Sequence, residues 1–306
     1  MDIERLGIDR SVSAVFPPSA LVEALADLPV ETVTIDSALD NCSGVVTFAH
    51  RGAFVGADWV HSIQAGVDRF PHDRFRDEGV VLTNSTGIHG DAIGETVAGY
   101  VLAFARRLHR HVANQQDHRW SQPGWDEAWT VADERACVVG LGSLGAGVVD
   151  RLTGLGLDVD GVRRRPLPEP GVETVYTPAN LERAVGDARV VVLCVPLTDS
   201  TRGLIDADVL AAMRDDAYLV NVARGPVVDQ SALVTALEAG DIAGAALDVF
   251  ETEPLPEDSP LWQMDEVIVS PHSGAFTRDY YEHIAAIVRE NVSRIRDGDE
   301  FVNRVL

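Results

Sequence analysis

ACVVGLGSLGAGVVDRL, residues 136–152, is the stretch whose reading decides the fold. An apolar run ends in Gly140, Gly142 and Gly145, and a segment with small residues at Ala146 and Gly147 follows. This is the pattern of a strand, a tight turn and a helix. In such a turn the first glycine permits the sharp reversal, the second lets a ligand approach the backbone, and the third lets the helix pack close to the sheet. The free N–H groups at the helix start then face an anion, and the pyrophosphate of a dinucleotide suits them. A glycine triplet alone is common. Here a strand precedes it, a helix follows it and a second strand is visible in LDVDGV at 157–162, which together predict a dinucleotide site.

That second strand runs into Arg163, Arg164 and Arg165. A site for NAD(H) would place an acidic residue near this strand end, about 20 residues past the glycines, to hold the adenosine ribose hydroxyls. A carboxylate repels a 2′-phosphate, whereas guanidinium groups pair with it. The arginines therefore predict NADP(H) as the preferred cofactor, with NAD(H) as the alternative.

Outward from the glycine turn, strand and helix alternate through DARVVVLCVPLT (187–198), DAYLVNVARG (216–225), DIAGAALDVF (241–250) and DEVIVSP (265–271). A doubly wound parallel sheet of at least six strands is the natural reading. The first ninety residues show the same α/β rhythm in SAVF (13–16), SALVEALADL (19–28), ETVTI (31–35), GVVTFA (44–49) and GVVLTN (79–84). GDAIGETVAGYVLAFARRLHRHVANQQ (90–116) predicts one long helix linking two bodies, and PLPEPG (166–171) a loop. The amphipathic DYYEHIAAIVRENVSRI (279–295) comes too late to begin a domain and is expected to return to the N-terminal body. The expected boundaries are 1–91, 92–275 and 276–306, the last segment completing the first domain.

The chain has 306 residues, enough for two compact cores, and 48 acidic residues against 25 basic ones, every one of them arginine. The formal net charge of −23 repels itself at low ionic strength, where screening reaches about 10 Å at 0.1 M salt, but is screened within about 3 Å at 1 M. Adaptation to a salty cytoplasm is the expectation. The acidity argues against nucleic acid and anionic membranes as partners. Cys42, Cys137 and Cys194 show no paired spacing and read as buried thiols of a reducing compartment. No apolar stretch marks a signal peptide or a membrane span, so a cytoplasmic protein is expected.

The chemistry-bearing residues follow the glycine turn. Arg224 in NVARGP, Glu253 in FETEPLP and His272 in SPHSGAFT are a cation, an acid and an imidazole. A planar guanidinium can hold a carboxylate and a carbonyl oxygen together, and a carboxylate-supported imidazole can give or take a proton. Singly, each has a plainer reading as a surface ion pair, a solvated acid or a loop histidine. In combination they are the groups that reduction of a 2-oxo acid needs, because negative charge builds on the carbonyl oxygen as hydride arrives.

Together with the glycine turn, VPLTDSTRGLID (195–206), LVNVARGPVVDQSAL (219–233), GAALDVFETEPLP (244–256) and SPHSGAFT (270–277) resemble the D-isomer-specific 2-hydroxyacid dehydrogenase family over nearly the whole chain. The resemblance implies a Rossmann-like doubly wound parallel sheet domain plus a discontinuous flavodoxin-like substrate domain, set around a cleft. It implies Arg224 as substrate-binding residue, His272 as general acid/base and Glu253 as its support. Asp248 would contact the nicotinamide carboxamide, and Ser143, Leu144, Pro196 and Thr201 would join the glycines, Arg163 and Arg164 at the cofactor. HSIQAGVDRF (61–70) resembles the segment whose main-chain amides hold the substrate carboxylate, at Gln64, Ala65, Gly66 and Val67. Asn84 and Glu95 fall in what resembles the interdomain segment, where Gly94 replaces a more common alanine, and carry structural roles. Phe54, Phe276 and Tyr280 are pocket residues by expectation.

The expected function is an NADP(H)-preferring reductase of small 2-oxo acids giving D-2-hydroxy acids, a homodimer with no metal. The alternative is a dinucleotide-sensing, corepressor-like binding protein of the same fold. Formate dehydrogenases of this fold usually carry glutamine where Glu253 stands, and phosphite dehydrogenases rely on an N-terminal lysine absent here. His109, His111 and His118 lack the neighbours of a metal site and read as solvent-facing. Trp120, Trp125 and Trp129 read as packing an arm or a dimer contact.

Overall fold

A computed structural model describes residues 1, 3–36 and 38–306. The chain divides into two units, Met1–Ile88 with Phe276–Leu306, and His89–Ala275.

The first unit opens with β1 (Arg5–Asp9), α1 (Pro18–Ala24), β2 (Glu31–Ile35), β3 (Gly44–Thr47), β4 (Trp59–Ser62), α2 (His72–Asp77) and β5 (Val81–Thr83). The strands form one sheet in the order β2-β1-β3-β4-β5, parallel throughout, which is the flavodoxin-like order. The first strand is RLGID and not SAVF, whose residues lie in and after a short 3-10 helix. Leu6 and Ile8 are fully buried, and Asp9 ends the strand with its carboxylate accepting from the Ser11 N–H, so the chain turns before SAVF begins.

In the second unit α3 (Gly90–Ala105) and α4 (Leu108–Gln116) precede β6 (Arg135–Val139), α5 (Ser143–Gly154), β7 (Asp158–Val162), β8 (Val175–Tyr176), α6 (Leu181–Gly186), β9 (Val190–Leu193), α7 (Ala207–Ala212), β10 (Tyr218–Asn221), α8 (Gln230–Ala239), β11 (Gly244–Leu247) and β12 (Val267–Val269). Seven parallel strands lie in the order β12-β11-β10-β9-β6-β7-β8, the doubly wound order of a dinucleotide-binding fold with one strand added. Alternation along each strand feeds two cores. Cys137, Val139, Val191, Leu193 and Leu219 pack with α6, α7 and α8 on one face. Ala136, Val138, Val190, Val192 and Val220 pack with α3 and α5 on the other.

The single long helix expected over 90–116 is two helices. Arg107 adopts the left-handed conformation at φ +55° and breaks the run, with neither glycine nor proline to announce it. α3 buries Val97, Val101 and Phe104, whereas α4 buries nothing. Gly94 is explained by its neighbour: a Cβ there would collide with the Gly147 carbonyl of α5. Finally α9 (Tyr280–Asp297) completes the first unit, where the Tyr280 hydroxyl donates to the Ile63 carbonyl at 2.7 Å. Tyr280 and Phe54 are buried in that unit, Phe54 at 0% exposure, so neither lines a pocket; both expectations are corrected by the demand for apolar filling. No helix among the described residues is long and apolar enough to cross a membrane.

Candidate active site

Gly140 follows β6, Arg163 follows β7, Pro196 follows β9, Arg224 follows β10, Asp248 follows β11 and His272 follows β12. All stand at the carboxyl edge of one parallel sheet, where α/β folds bind their ligands, and the last three follow neighbouring strands.

The His272 Nδ1 lies 2.9 Å from Glu253 Oε2. A carboxylate can only accept, so Nδ1 carries the hydrogen and Nε2 is the nitrogen left to exchange a proton. Glu253 is itself held, its Oε1 accepting from the Phe250 N–H at 3.2 Å. The two side chains are 28% and 18% exposed, so the contact is partly shielded from water. The His272 backbone has φ +53°, a left-handed conformation that non-glycine residues rarely adopt unless their surroundings impose it. Here its N–H donates to the Asp248 carbonyl at 2.8 Å.

Arg224 sits on an extended residue, φ −147° and ψ 143°, just past β10. Asn221 fixes that turn, its Nδ2 donating to the Arg224 carbonyl and its Oδ1 accepting from the Ala223 N–H, each at 3.1 Å. Arg224 Nη1 donates to the Ala223 carbonyl at 2.8 Å. A Cβ at Gly225 would collide with the Phe250 carbonyl, so only glycine lets this turn lie directly against the one that carries Glu253. Imidazole and acid are thus in contact, and the arginine turn is seated on the backbone beside them.

The glycine turn fits a dinucleotide pyrophosphate. Gly140 has φ +102°, and a Cβ at Gly145 would fall on the Gly140 carbonyl, so both are required for the turn itself. Gly142 has nothing within 4 Å of where a Cβ would stand, and it caps α5 without a side-chain hydrogen bond. That leaves Ser143, Leu144 and Gly145 with helix-start N–H groups facing an open, small-residue cradle. Thr201 shapes the loop after β9, its hydroxyl donating to the Pro196 carbonyl at 2.6 Å and accepting from the Thr198 N–H at 2.8 Å.

The end of β7 is more specific than its sequence suggested. Asp160, 20 positions beyond Gly140, is buried and accepts from Arg135 at 2.9 Å and from the Thr174 N–H at 3.0 Å, so this acid is committed to the fold. Arg163 pairs with Glu169 at 2.8 Å, while Arg164 and Arg165 are exposed. Asp248 holds the His272 loop, accepting from the Ser270 hydroxyl at 2.6 Å and from the Ser273 and Gly274 N–H groups at 3.0 Å each.

In the first unit, Ala65, Gly66 and Val67 are partly buried on the loop after β4. Asn84 Nδ2 donates to the Ala65 carbonyl at 2.7 Å and His72 Nε2 to the Val67 carbonyl at 2.9 Å. With those carbonyls claimed, the three N–H groups meet no acceptor among the described residues, the arrangement an incoming anion requires. Sequence reasoning gave Asn84 only a structural role and passed over His72. His61, beneath this loop, contacts Thr83 and Ser85 hydroxyls, and burial pushes it down to about 3, so it stays neutral and takes no part in acid/base work.

Other expectations resolve locally. His109 is not solvent-facing: its Nδ1 donates to the Ala103 carbonyl at 3.1 Å and its ring packs on Phe104. His111 and His118 are exposed, and no metal-binding cluster occurs among the described residues. Trp120 and Trp125 are almost fully exposed, whereas Trp129 stacks near Tyr218 with Arg189 over its ring. All three cysteines are free; Cys194 keeps some exposed surface, but burial pushes its thiol, like that of Cys137, up to about 12.

Residues 98–274 match the family described as D-isomer specific 2-hydroxyacid dehydrogenase, NAD binding domain. The chain is 35% identical over 246 residues to the glyoxylate reductase of Korarchaeum cryptofilum, an alignment covering 76% of this chain and 71% of that one. Among solved structures it is similar to a D-isomer specific 2-hydroxyacid dehydrogenase from Xanthobacter autotrophicus Py2 in complex with NADPH and MES, with a TM-score of 0.83, 32% identity and coverage of 99% and 98%. It is also similar to an NADPH-dependent glyoxylate/hydroxypyruvate reductase from Sinorhizobium meliloti in complex with NADP and sulfate, with a TM-score of 0.83, 25% identity and the same coverage.

Proposed function

Because this chain belongs to the D-isomer specific 2-hydroxyacid dehydrogenase family and is therefore an NAD(P)-dependent oxidoreductase, we propose that it reduces small 2-oxo acids, glyoxylate and hydroxypyruvate among them, to D-2-hydroxy acids with NADP(H) preferred. The observation that carries this reading is the 2.9 Å contact between His272 Nδ1 and Glu253 on the sheet edge that also bears the glycine turn. The cofactor, when bound, supplies the hydride. His272 gives its Nε2 proton to the carbonyl oxygen as charge builds there, and Glu253 holds the ring in the orientation and tautomer this needs. Arg224 grips the substrate carboxylate and carbonyl oxygen through its planar fork. In the first unit, Ala65, Gly66 and Val67 carry main-chain amides suited to a carboxylate. Asp248 Oδ2 accepts one N–H, which leaves it capacity for a carboxamide nitrogen. The test is steady-state oxidation of NADPH with a panel of 2-oxo acids. Negligible turnover with every one of them would instead fit a dinucleotide-sensing binding protein.

Preference for NADP(H) rests on Arg163 and Arg164, with Asp160 withdrawn into the fold. The double change Arg163→Asp and Arg164→Ser is expected to raise the KM for NADPH by about tenfold or more while changing that for NADH little, because two charge-assisted contacts to the 2′-phosphate are lost. Equal effects on the two cofactors would refute the assignment.

We also read the chain as a cytoplasmic enzyme adapted to salt. Its charge of −23 and absence of lysine lead to an expected rise in Tm between 0.1 and 3 M salt, and a flat curve would remove the idea. A homodimer covering the exposed Leu108, Val112, Trp120 and Trp125 completes the proposal; a light-scattering mass of one chain would exclude it.

A further inference from the structure

His272 is flanked two residues to either side by Ser270 and Gly274, and both are tied to α3. The Tyr100 hydroxyl lies 2.5 Å from Ser270 Oγ, and the Thr96 hydroxyl donates to the Gly274 carbonyl at 2.7 Å. Thr96 and Tyr100 are four residues apart on one helix, hence on one face. The direction of the chain of hydrogen bonds is fixed. Ser270 spends its only proton on Asp248 Oδ1 at 2.6 Å, so it can only accept from Tyr100. Burial raises the tendency of the Tyr100 phenol to keep its proton, in agreement with a donor role. Asp248 passes the restraint on by receiving the Ser273 and Gly274 N–H groups and by taking the His272 N–H on its carbonyl.

We propose that α3 braces the acid/base loop, with Tyr100 and Thr96 as positioning residues that hold His272 in its left-handed backbone conformation and its ring against Glu253. The inference rests on the reading of His272 as the acid/base. A histidine at φ +53° persists only where the surroundings over-determine it, and the two ties from α3 with the four hydrogen bonds to Asp248 are those surroundings. Among the described residues the hydrogen bond of Tyr100 reaches the site through Ser270, so its loss should act on turnover and not on affinity.

The experiment compares Tyr100→Phe, Thr96→Val, Ser270→Ala and Ser270→Thr with His272→Ala, measuring kcat, both KM values and Tm. Tyr100→Phe and Thr96→Val should each lower kcat by about 3- to 10-fold, the cost of one lost internal hydrogen bond, with KM for NADPH changed by less than about twofold. Ser270→Ala should do the same, and Ser270→Thr, which keeps the hydroxyl, should recover most of the loss. A merely structural contact would lower Tm and leave kcat untouched; that result, or a raised NADPH KM at constant kcat, overturns the brace. Should Tyr100→Phe fail to fold, Thr96→Val decides alone. Retained turnover in His272→Ala would instead remove the acid/base reading itself, while its loss with unchanged kcat in the α3 variants removes the brace only.

Discussion

Replacing His272 by alanine is expected to lower kcat by about 10² to 10⁴, the contribution of a positioned acid/base group to proton transfer. The loss should appear in turnover and not in cofactor affinity, because His272 follows β12 whereas the pyrophosphate cradle follows β6. NADPH fluorescence titration of the variant supplies that control. Glu253→Gln should fall between wild type and His272→Ala: an amide can still accept from Nδ1 at the position now 2.9 Å away, but a neutral acceptor holds the ring less firmly than a carboxylate. A Glu253→Gln enzyme with wild-type kcat would mean that the contact orients nothing of consequence.

Arg224→Lys should lower kcat/KM for the 2-oxo acid by about 10² to 10³, comparable to removing a preorganised donor from a developing oxyanion. The substitution keeps the charge, so the size of the loss measures geometry. A planar fork reaches a carboxylate and a carbonyl oxygen with parallel N–H groups; an ammonium is a point charge on a flexible stem. The structure makes the fork worth having, since Asn221 clamps the Arg224 turn from both sides and Gly225 seats it against Phe250. Steady-state kinetics with saturating NADPH checks it. A loss below about threefold, the worth of a weak exposed contact, would show that Arg224 acts only through its charge.

The parts of this molecule that were legible in the sequence are those written in local pattern. GLGSLG gave a strand, a turn and a helix because each glycine answers a need within a few residues, and the apolar runs marked β6, β9, β10, β11 and β12 because both faces of a parallel sheet are buried. The break at Arg107 was not legible, since helical periodicity runs on through it and the left-handed residue carries no glycine signal. SAVF misled because an apolar run of that length suits a strand or a packed turn equally. Phe54 and Tyr280 were placed in a pocket because aromatic residues fill cores and line cavities alike, and only the fold distinguishes the two. Tyr100 could not be found at all. Its partner Ser270 is 170 residues away, and nothing local distinguishes it from the other apolar positions of α3. Asp160 likewise sits at the spacing of a ribose ligand, and its contacts with Arg135 and the Thr174 N–H show that it is spoken for.

Chirality of the product tests the central claim most directly. Reduction of hydroxypyruvate or another prochiral 2-oxo acid by NADPH, followed by chiral chromatography, should yield the D-2-hydroxy acid alone, delivered by a single arrangement of Arg224 and the His272–Glu253 pair. An L product, a racemate, or no product from any 2-oxo acid would contradict it.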